Sequence, residues 1–371
     1  MGKFLDNQRL AVLAPTLGGG IGRVIVNLVD GFIQKGISVD LLLVKQDGAY
    51  VDLLHPDARV VKLPTTHMVF GVPFLVHYLR QARPLAILTE SVRSNALLLR
   101  SRKISGVPTK IFAGIHNTYS MALKSRDPEK QIRLLRRMKK YLPQNDGIIA
   151  VSQGVGEDIV RLLSLSPDRV KVLYNPVIKP DIDKLARQKP GHPWFETASP
   201  PVILSAGRLH PQKDFPTLLR AFANVSKKLS CRLIILGEGE ERENLEALIR
   251  TLGIQNLVDF PGQVANPYSY MAHSKLFVLS SAWEGFGNVL AEALAVGTPV
   301  VSTDCPSGPR EILQDGLYGM LVSVGDVQAL SNAIQRTLEQ KTDPEFLKKA
   351  VQPFQVKTVV DEYCHYLGFE F

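Results

Sequence analysis

The chain has 371 residues, 45% hydrophobic and 21% charged, a composition that suits a folded globular protein long enough for two domains with separate cores. No stretch reaches the roughly 20 apolar residues of a membrane span, and the richest, Met68 to Leu79, is broken by Gly71, Pro73 and His77. The net charge of +9 is uneven: residues 1–180 hold 26 Lys and Arg against 13 Asp and Glu, and the remainder holds 18 against 22. That asymmetry points either to an acidic partner for the first half (anionic lipid headgroups, a phosphate-bearing acceptor or nucleic acid) or to a solvated basic face.

In chain order, Arg9 to Ala14 reads as a buried strand, followed by the cluster Gly18-Gly19-Gly20. The next helix carries Val24, Ile25, Leu28, Val29, Phe32 and Ile33 on one face, and Gly36 stops it. Strands follow at Val39 to Val44, Ala86 to Thr89, Lys110 to Ala113, Ile148 to Val151 and Val170 to Leu173. This alternation predicts a parallel sheet with helices on both faces. Residues 178–201 contain Pro180, Pro190, Gly191, Pro193, Pro200 and Pro201 without a sustained apolar period, and read as a linker.

The rhythm restarts with a strand at Val202 to Ser205 and a helix beginning near Pro216, with Leu218, Phe222, Val225 and Leu229 as its stripe. Leu233 to Leu236 is a strand, and Leu245, Leu248, Ile249 and Leu252 mark a helix ended by Gly253. Strands at Leu276 to Leu279 and Pro299 to Ser302 flank a helix from Asn288 to Val296. The expected fold is α/β: two Rossmann-like doubly wound domains facing across a cleft, residues 1–177 and 202–350. Residues 351–371 form an amphipathic helix on Val356, Val359, Val360, Tyr363 and Leu367. Ligands of such sheets sit beyond the carboxyl ends of the strands.

Cys231, Cys305 and Cys364 form neither a disulfide framework nor a CxxC pair, and the N-terminus has no charged-then-apolar leader pattern. Asp6 stands where myristoylation needs Ser or Thr. A cytoplasmic protein is the expectation.

A GxGxxG fingerprint from Gly18 or Gly20 meets Arg23 or Ile25 in its last place, and one from Gly237 meets Arg242. No GxxxxGK[ST] is present, so nicotinamide-dependent and P-loop chemistries are disfavoured. What remains at Gly18-Gly19-Gly20 is a flexible turn and a helix N-terminus, whose backbone N–H groups suit an anion. In Ser205 to Asp214 a strand ends at Gly207 and is followed by Arg208 and Lys213. Two cations there suit a diphosphate leaving group, whose charge grows as its bond to a sugar breaks.

Trp283-Glu-Gly-Phe-Gly-Asn288 follows a strand and opens a helix. Gly285 and Gly287 let a ligand approach the main chain on either side of Phe286. Glu284 lies in the loop and Glu292 one turn into the helix, expected on its first accessible face, and carboxylates accept hydrogen bonds from sugar hydroxyls. Asp181-Ile-Asp183 is a DxD within the proline-rich segment and reads as a solvated pair. No histidine has metal-ligand spacing, so no metal is expected. Lys124 to Lys140 reads as a basic amphipathic helix, suited to an anionic membrane or to a core with a solvated basic face. Met68 to Leu79, followed by Arg80 and Arg83, offers the same two readings. No aromatic-interleaved basic motif supports nucleic-acid binding.

Together these segments resemble the family 4 retaining glycosyltransferases of GT-B architecture. The resemblance runs through Gly19-Gly20-Ile-Gly-Arg23, His116-Asn117, Ala150-Val-Ser-Gln-Gly-Val155 and Asn175-Pro176. It continues through Gly207-Arg208 with Lys213, Glu284 to Glu292, and Gly297-Thr-Pro-Val-Val-Ser302. It implies that Arg208 and Lys213 hold a diphosphate and Glu292 a ribose. Glu284 and the amides of Gly285, Phe286, Gly287, Asn288 and Val289 would hold the transferred sugar and nearby phosphate, with Gly19, Gly20 and Gly207 also on the donor. His116 would lie near the sugar and the attacking hydroxyl. The C-terminal helix would return to the first domain.

The run Asp304 to Leu313 is similar to bacterial members that extend lipid-linked or surface glycans from hexose or N-acetylhexosamine donors. The expected function is transfer from a nucleotide diphosphate-sugar, UDP-linked, to a glycan or lipid-linked saccharide, without a cofactor and with a peripheral membrane association open. A GT-B-type UDP-sugar epimerase and a non-catalytic nucleotide-sugar-binding protein are the alternatives.

Overall fold

The computed structural model describes residues 9–45, 48, 50–63, 71–124, 127–196 and 200–370. The chain divides into two units, with boundaries between Pro176 and Val177 and between Gln355 and Val356, so the C-terminal segment belongs with the first unit.

Unit 1 is built on a parallel sheet of seven strands: β1 (Arg9–Ala14), β2 (Ser38–Leu43), β3 (Arg59–Lys62), β4 (Ala86–Thr89), β5 (Lys110–Ile115), β6 (Gly147–Ala150) and β7 (Val170–Val172), in the order β3-β2-β1-β4-β5-β6-β7. Central strands such as β1 and β4 are buried on both faces, which is why they read as continuous apolar runs without alternation. The exception is Asp40 in β2, fully buried but held by Arg9 (2.6 Å), Arg59 (2.8 Å) and the Tyr78 hydroxyl (2.7 Å). The helix Gly19–Gln34 packs against the helix Val356–Leu367. Their close approach depends on Gly31, where a Cβ would lie 2.5 Å from the Val360 side chain, and on the edge-to-face pair of Phe32 and Tyr363 at 6.3 Å.

Unit 2 repeats the plan with β8 (Val202–Ala206), β9 (Arg232–Leu236), β10 (Val258–Gly262), β11 (Leu276–Leu279), β12 (Val300–Thr303) and β13 (Met320–Val322), in the order β10-β9-β8-β11-β12-β13. In each sheet the strand order reverses once, between β1 and β4 and between β8 and β11. Open parallel sheets bind ligands at such points.

The sequence reading missed β3, β10 and β13. All three are edge strands, partly exposed, and so lack the apolar run that marks a central strand. The proline-rich segment is also more than a linker. It forms the helix Ile182–Ala186, and Asn266 donates to the Leu185 carbonyl and the Gln188 side chain, both at 2.8 Å. His192 lies 2.8 Å from Asp259, so these residues are part of unit 2.

The helix expected over Lys124 to Lys140 runs Pro128–Tyr141, started by Asp127, whose carboxylate accepts from the amides of Glu129 and Lys130. Of the segment Met68 to Leu79, residues 68–70 lie outside the described residues. Gly71 precedes the helix Val72–Ala82, to which the rest belongs and which buries Leu75, Val76, Tyr78 and Leu79 in the core. Among the described residues no helix is long and apolar enough to cross a membrane.

Candidate active site

The best-defined arrangement of functional side chains lies where the order of the second sheet reverses. β8 ends at Ala206, and the aliphatic stem of Lys213 lies over Gly207, where a Cβ would approach the lysine Cε to 2.9 Å. The chain then makes the short 3-10 turn Pro211–Lys213, opened by His210, whose Nδ1 accepts from the Gln212 amide. Asp214 follows with a left-handed φ of 44° and caps the helix Phe215–Ser226. This turn fixes the direction of Lys213.

The loop after β11 is tied to that turn by three hydrogen bonds. The Ala282 amide donates to the Gln212 carbonyl (2.8 Å), the Gln212 side chain to the Trp283 carbonyl (2.9 Å), and the Ser280 hydroxyl to the Lys213 carbonyl (2.8 Å). The outcome is a buried ion pair: Lys213 Nζ lies 2.5 Å from Glu284 Oε1, with the two side chains 16% and 8% exposed. The Ser281 hydroxyl donates to the same oxygen at 2.6 Å, and its own carbonyl accepts from Thr303. Taking a lone carboxylate out of water is costly, and two donors on one oxygen offset that cost and fix its orientation. The charge of Glu284 is felt nearby: burial first, and then this carboxylate, push the Cys305 thiol above the usual range.

The loop 304–308 braces the site from beneath. The Glu284 amide donates to the Pro306 carbonyl at 3.2 Å, and Gly308, at φ 90°, leaves room for the Phe286 carbonyl that a Cβ would strike. The helix Asn288–Ala295 begins after Gly287, which has φ 96° and supplies no side-chain cap. A helix start of that kind presents backbone N–H groups and a positive dipole end to an anion.

The structure brings together Lys213, Glu284 and the loop Gly285, Phe286, Gly287, Asn288 and Val289, but the two expected cations have different partners. Arg208 is 68% exposed and pairs with Glu240 at 2.9 Å, in the loop after β9. The carboxyl of Glu240 is held below its usual range by its own backbone amide and then by Arg208. Glu292 is only 4% exposed, not on an accessible face as expected, because the helix carrying it is apolar around its whole circumference. It receives a long hydrogen bond (3.4 Å) from the buried Tyr268 hydroxyl. Gly19, Gly20 and His116 belong to unit 1, with the two glycines opening the helix Gly19–Gln34 at the end of β1.

Sequence reasoning missed Ser281 and Gln212. Ser281 lies three residues before Glu284, just ahead of the segment that begins at Trp283, so its position was an available signal. Gln212 acts through a turn that no pattern announced. The DxD aspartates lie in and beside the helix Ile182–Ala186, with Asp183 3.8 Å from Lys348. Among the described residues no group of three or more His, Cys, Asp or Glu side chains is placed to hold a metal ion.

Residues 18–178 match the family described as Glycosyltransferase Family 4, and residues 192–352 match Glycosyl transferases group 1. Over 344 residues the chain is 31% identical to a Campylobacter jejuni N-acetylgalactosaminyltransferase acting on N-acetylgalactosamine-N,N'-diacetylbacillosaminyl-diphospho-undecaprenol, covering 90% of both chains. The chain belongs to the family 4 glycosyltransferases.

This glycosyltransferase is also 28% identical over 285 residues to a lipopolysaccharide 1,6-galactosyltransferase of Salmonella typhimurium, covering 75% of this chain and 72% of that one. Among solved structures, Anabaena HepE in complex with UDP-glucose superposes with a TM-score of 0.79 at 23% identity, covering 97% and 99% of the two chains. The same protein with UDP and glucose gives 0.78 at 22% identity and the same coverage. The glycosyltransferase has the GT-B fold.

Proposed function

We propose that this glycosyltransferase moves a hexose or N-acetylhexosamine from a UDP-sugar to a hydroxyl of a glycan or lipid-linked saccharide, with retention at the anomeric carbon, in cell-surface polysaccharide or glycoconjugate synthesis. The observation that carries this reading is the buried Lys213–Glu284 pair beside a helix start at which Gly287 supplies no side-chain cap, at the reversal point of the second sheet. The activities of the Campylobacter and Salmonella relatives support a lipid-linked or lipopolysaccharide acceptor, and the HepE complexes support UDP.

In this mechanism Lys213 and the amides of residues 285–289 receive the charge that develops on the diphosphate as its bond to the sugar breaks. Glu284, already fixed by Ser281 and Lys213, accepts hydrogen bonds from sugar hydroxyls. Arg208 swings from Glu240 to the diphosphate when the donor binds. The new C–O bond forms on the face that the diphosphate leaves, and a diphosphate oxygen takes the proton of the attacking hydroxyl. Protein cations neutralise the leaving group, so no metal is required.

The test is incubation of the purified chain with UDP-sugars and undecaprenyl-diphosphate-linked saccharides, with and without EDTA. The expected result is acceptor heavier by one sugar, retained anomeric configuration and a rate indifferent to EDTA. Epimerised UDP-sugar appearing without acceptor overturns the reading in favour of an epimerase, and nucleotide binding without turnover overturns it in favour of a binding protein.

We further propose peripheral contact with anionic membrane through unit 1. The helix Pro128–Tyr141 exposes Lys130, Arg133, Arg136, Arg137, Lys139 and Lys140 together with Ile132. Its neighbour Val92–Ser105, joined to it by Arg100 on the Tyr141 hydroxyl (2.7 Å), adds the exposed Ile104 and Lys103. Basic charge around protruding apolar side chains suits an anionic lipid surface. Co-sedimentation with phosphatidylglycerol vesicles but not with phosphatidylcholine vesicles is the expected outcome.

A further inference from the structure

In unit 2, the Gly237-Glu238-Gly239 motif after β9 and the side chain of His210 have no part in the mechanism above. The two glycines let the loop after β9 lie directly against the loop after β8. A Cβ would come within 2.0 Å of the Gly207 carbonyl oxygen at Gly237, and within 2.2 Å of the Leu209 carbonyl oxygen at Gly239. The Leu209 amide donates to the Glu238 carbonyl (2.9 Å), and the Glu241 amide donates to the Leu209 carbonyl (3.0 Å). Glu240 falls between those two bonds, so its backbone is held beside the chain that carries Arg208 and His210.

Both of its carboxylate oxygens face donors. Arg208 Nη2 donates to Oε2 at 2.9 Å, and His210 Nε2 lies 3.6 Å from Oε1. The His210 ring is oriented from its other side, because Nδ1 accepts from the Gln212 amide at 3.0 Å. With the Nδ1 lone pair so used, the proton of the neutral ring sits on Nε2, which is a donor turned towards the carboxylate. A guanidinium and an imidazole N–H converging on two oxygens of one anion suit a phosphate as well as a carboxylate. The three side chains are partly exposed, and exposed ion pairs contribute little, so one oxyanion can replace another here at small cost.

We propose that His210 is a further donor-binding residue, and that Glu240 stands in for a phosphate of the donor on His210 and Arg208 until a nucleotide diphosphate takes its place. The nucleotide diphosphate rests on the glycosyltransferase reading of the chain; the two-donor arrangement does not. Because Glu240 is tethered to the site, it competes at a high effective concentration, which favours a diphosphate over a singly charged anion.

The test measures UDP binding to the full chain by isothermal titration calorimetry at fixed ionic strength. Glu240→Gln removes the competing charge and is expected to lower the Kd for UDP by about 2- to 5-fold. Glu243→Gln removes an exposed charge from the first turn of the next helix, Arg242–Leu252, and is expected to leave the Kd unchanged. His210→Asn keeps an acceptor for the Gln212 amide but removes Nε2. It is expected to raise the Kd by about 3- to 10-fold at an unaltered thermal midpoint. Wild-type affinity in His210→Asn would reduce His210 to a cap for the turn and overturns the proposal. So does unchanged or weaker binding by Glu240→Gln, or an equal gain in Glu243→Gln. Binding in the expected order without sugar transfer would defeat the transferase reading and leave this site standing, whereas UDP bound by none of the proteins overturns the proposal itself.

Discussion

The two units share a strand order but finish their reversal points differently. In unit 2 the loops after β8 and β11 are joined through Gln212, Ser280 and Ala282, and the buried charges of Lys213 and Glu284 answer one another. In unit 1 the ends of β4 and β5 leave Thr89 Oγ1, His116 Nδ1 and Asn117 Oδ1 buried and unmatched. Each such atom costs about 1–3 kcal/mol unless something supplies a partner. A matched site is rigid before its ligand arrives, which suits the part that every donor has in common, a diphosphate on a sugar. An unmatched one is completed by its ligand. Unit 2 does hold one comparable atom among the described residues, the Trp283 indole N–H, so the contrast is one of degree.

The largest test of that contrast is Lys213→Ala. Turnover should fall by about 10²–10³-fold through loss of leaving-group stabilisation. Stability should fall by about 3–5 kcal/mol because Glu284 is left buried without its counter-charge. The double variant Lys213→Met with Glu284→Gln separates the effects, since it should recover the thermal midpoint and not the turnover. A near-normal rate in Lys213→Ala would reduce the pair to a structural feature. Ser281→Ala removes one of two donors to Glu284 Oε1, and steady-state kinetics should show kcat lower by about tenfold, with a stability loss of about 1 kcal/mol.

The finest distinction compares two hydroxyl deletions by chemical denaturation. Ser205→Ala breaks the buried bond to the Val278 carbonyl (2.7 Å) and should cost about 1 kcal/mol. Thr89→Val removes a buried hydroxyl that has no partner, and should leave the ligand-free protein as stable or more stable by up to about 1 kcal/mol. Equal losses would show that the unmatched state of Thr89 is not real in solution.

Much of this was legible in the sequence. β1, β4 and β11 were read to the residue, because a strand buried on both faces announces itself by an unbroken apolar run. The edge strands β3, β10 and β13 were not, because part of each faces away from the core, although the edge strand β7 was read. At the site, Gly207, Lys213 and Glu284 were legible as types in order, yet their contact spans 71 residues of sequence and depends on a turn at His210 to Asp214 that no periodicity encodes. The burial of Glu292 was hidden for a related reason: a helix apolar on all sides gives no stripe from which to judge where its one carboxylate faces.

The return of the chain to unit 1 at Val356 has a consequence for biosynthesis. Unit 2 is contiguous, so it can complete itself as it leaves the ribosome. Unit 1 cannot: the face of the helix Gly19–Gln34 that carries Phe32 has no cover until Val359, Val360 and Tyr363 are made. Counted from Pro176, where the first stretch of unit 1 ends, those residues emerge after about 180 further codons, on the order of ten to forty seconds at ordinary elongation rates. The later half of the message is therefore translated while the earlier half is still adhesive. A premature stop shortly before Val356 would release a finished unit 2 tethered to an unfinished unit 1, and chaperones would have to guard that first-made face in the meantime.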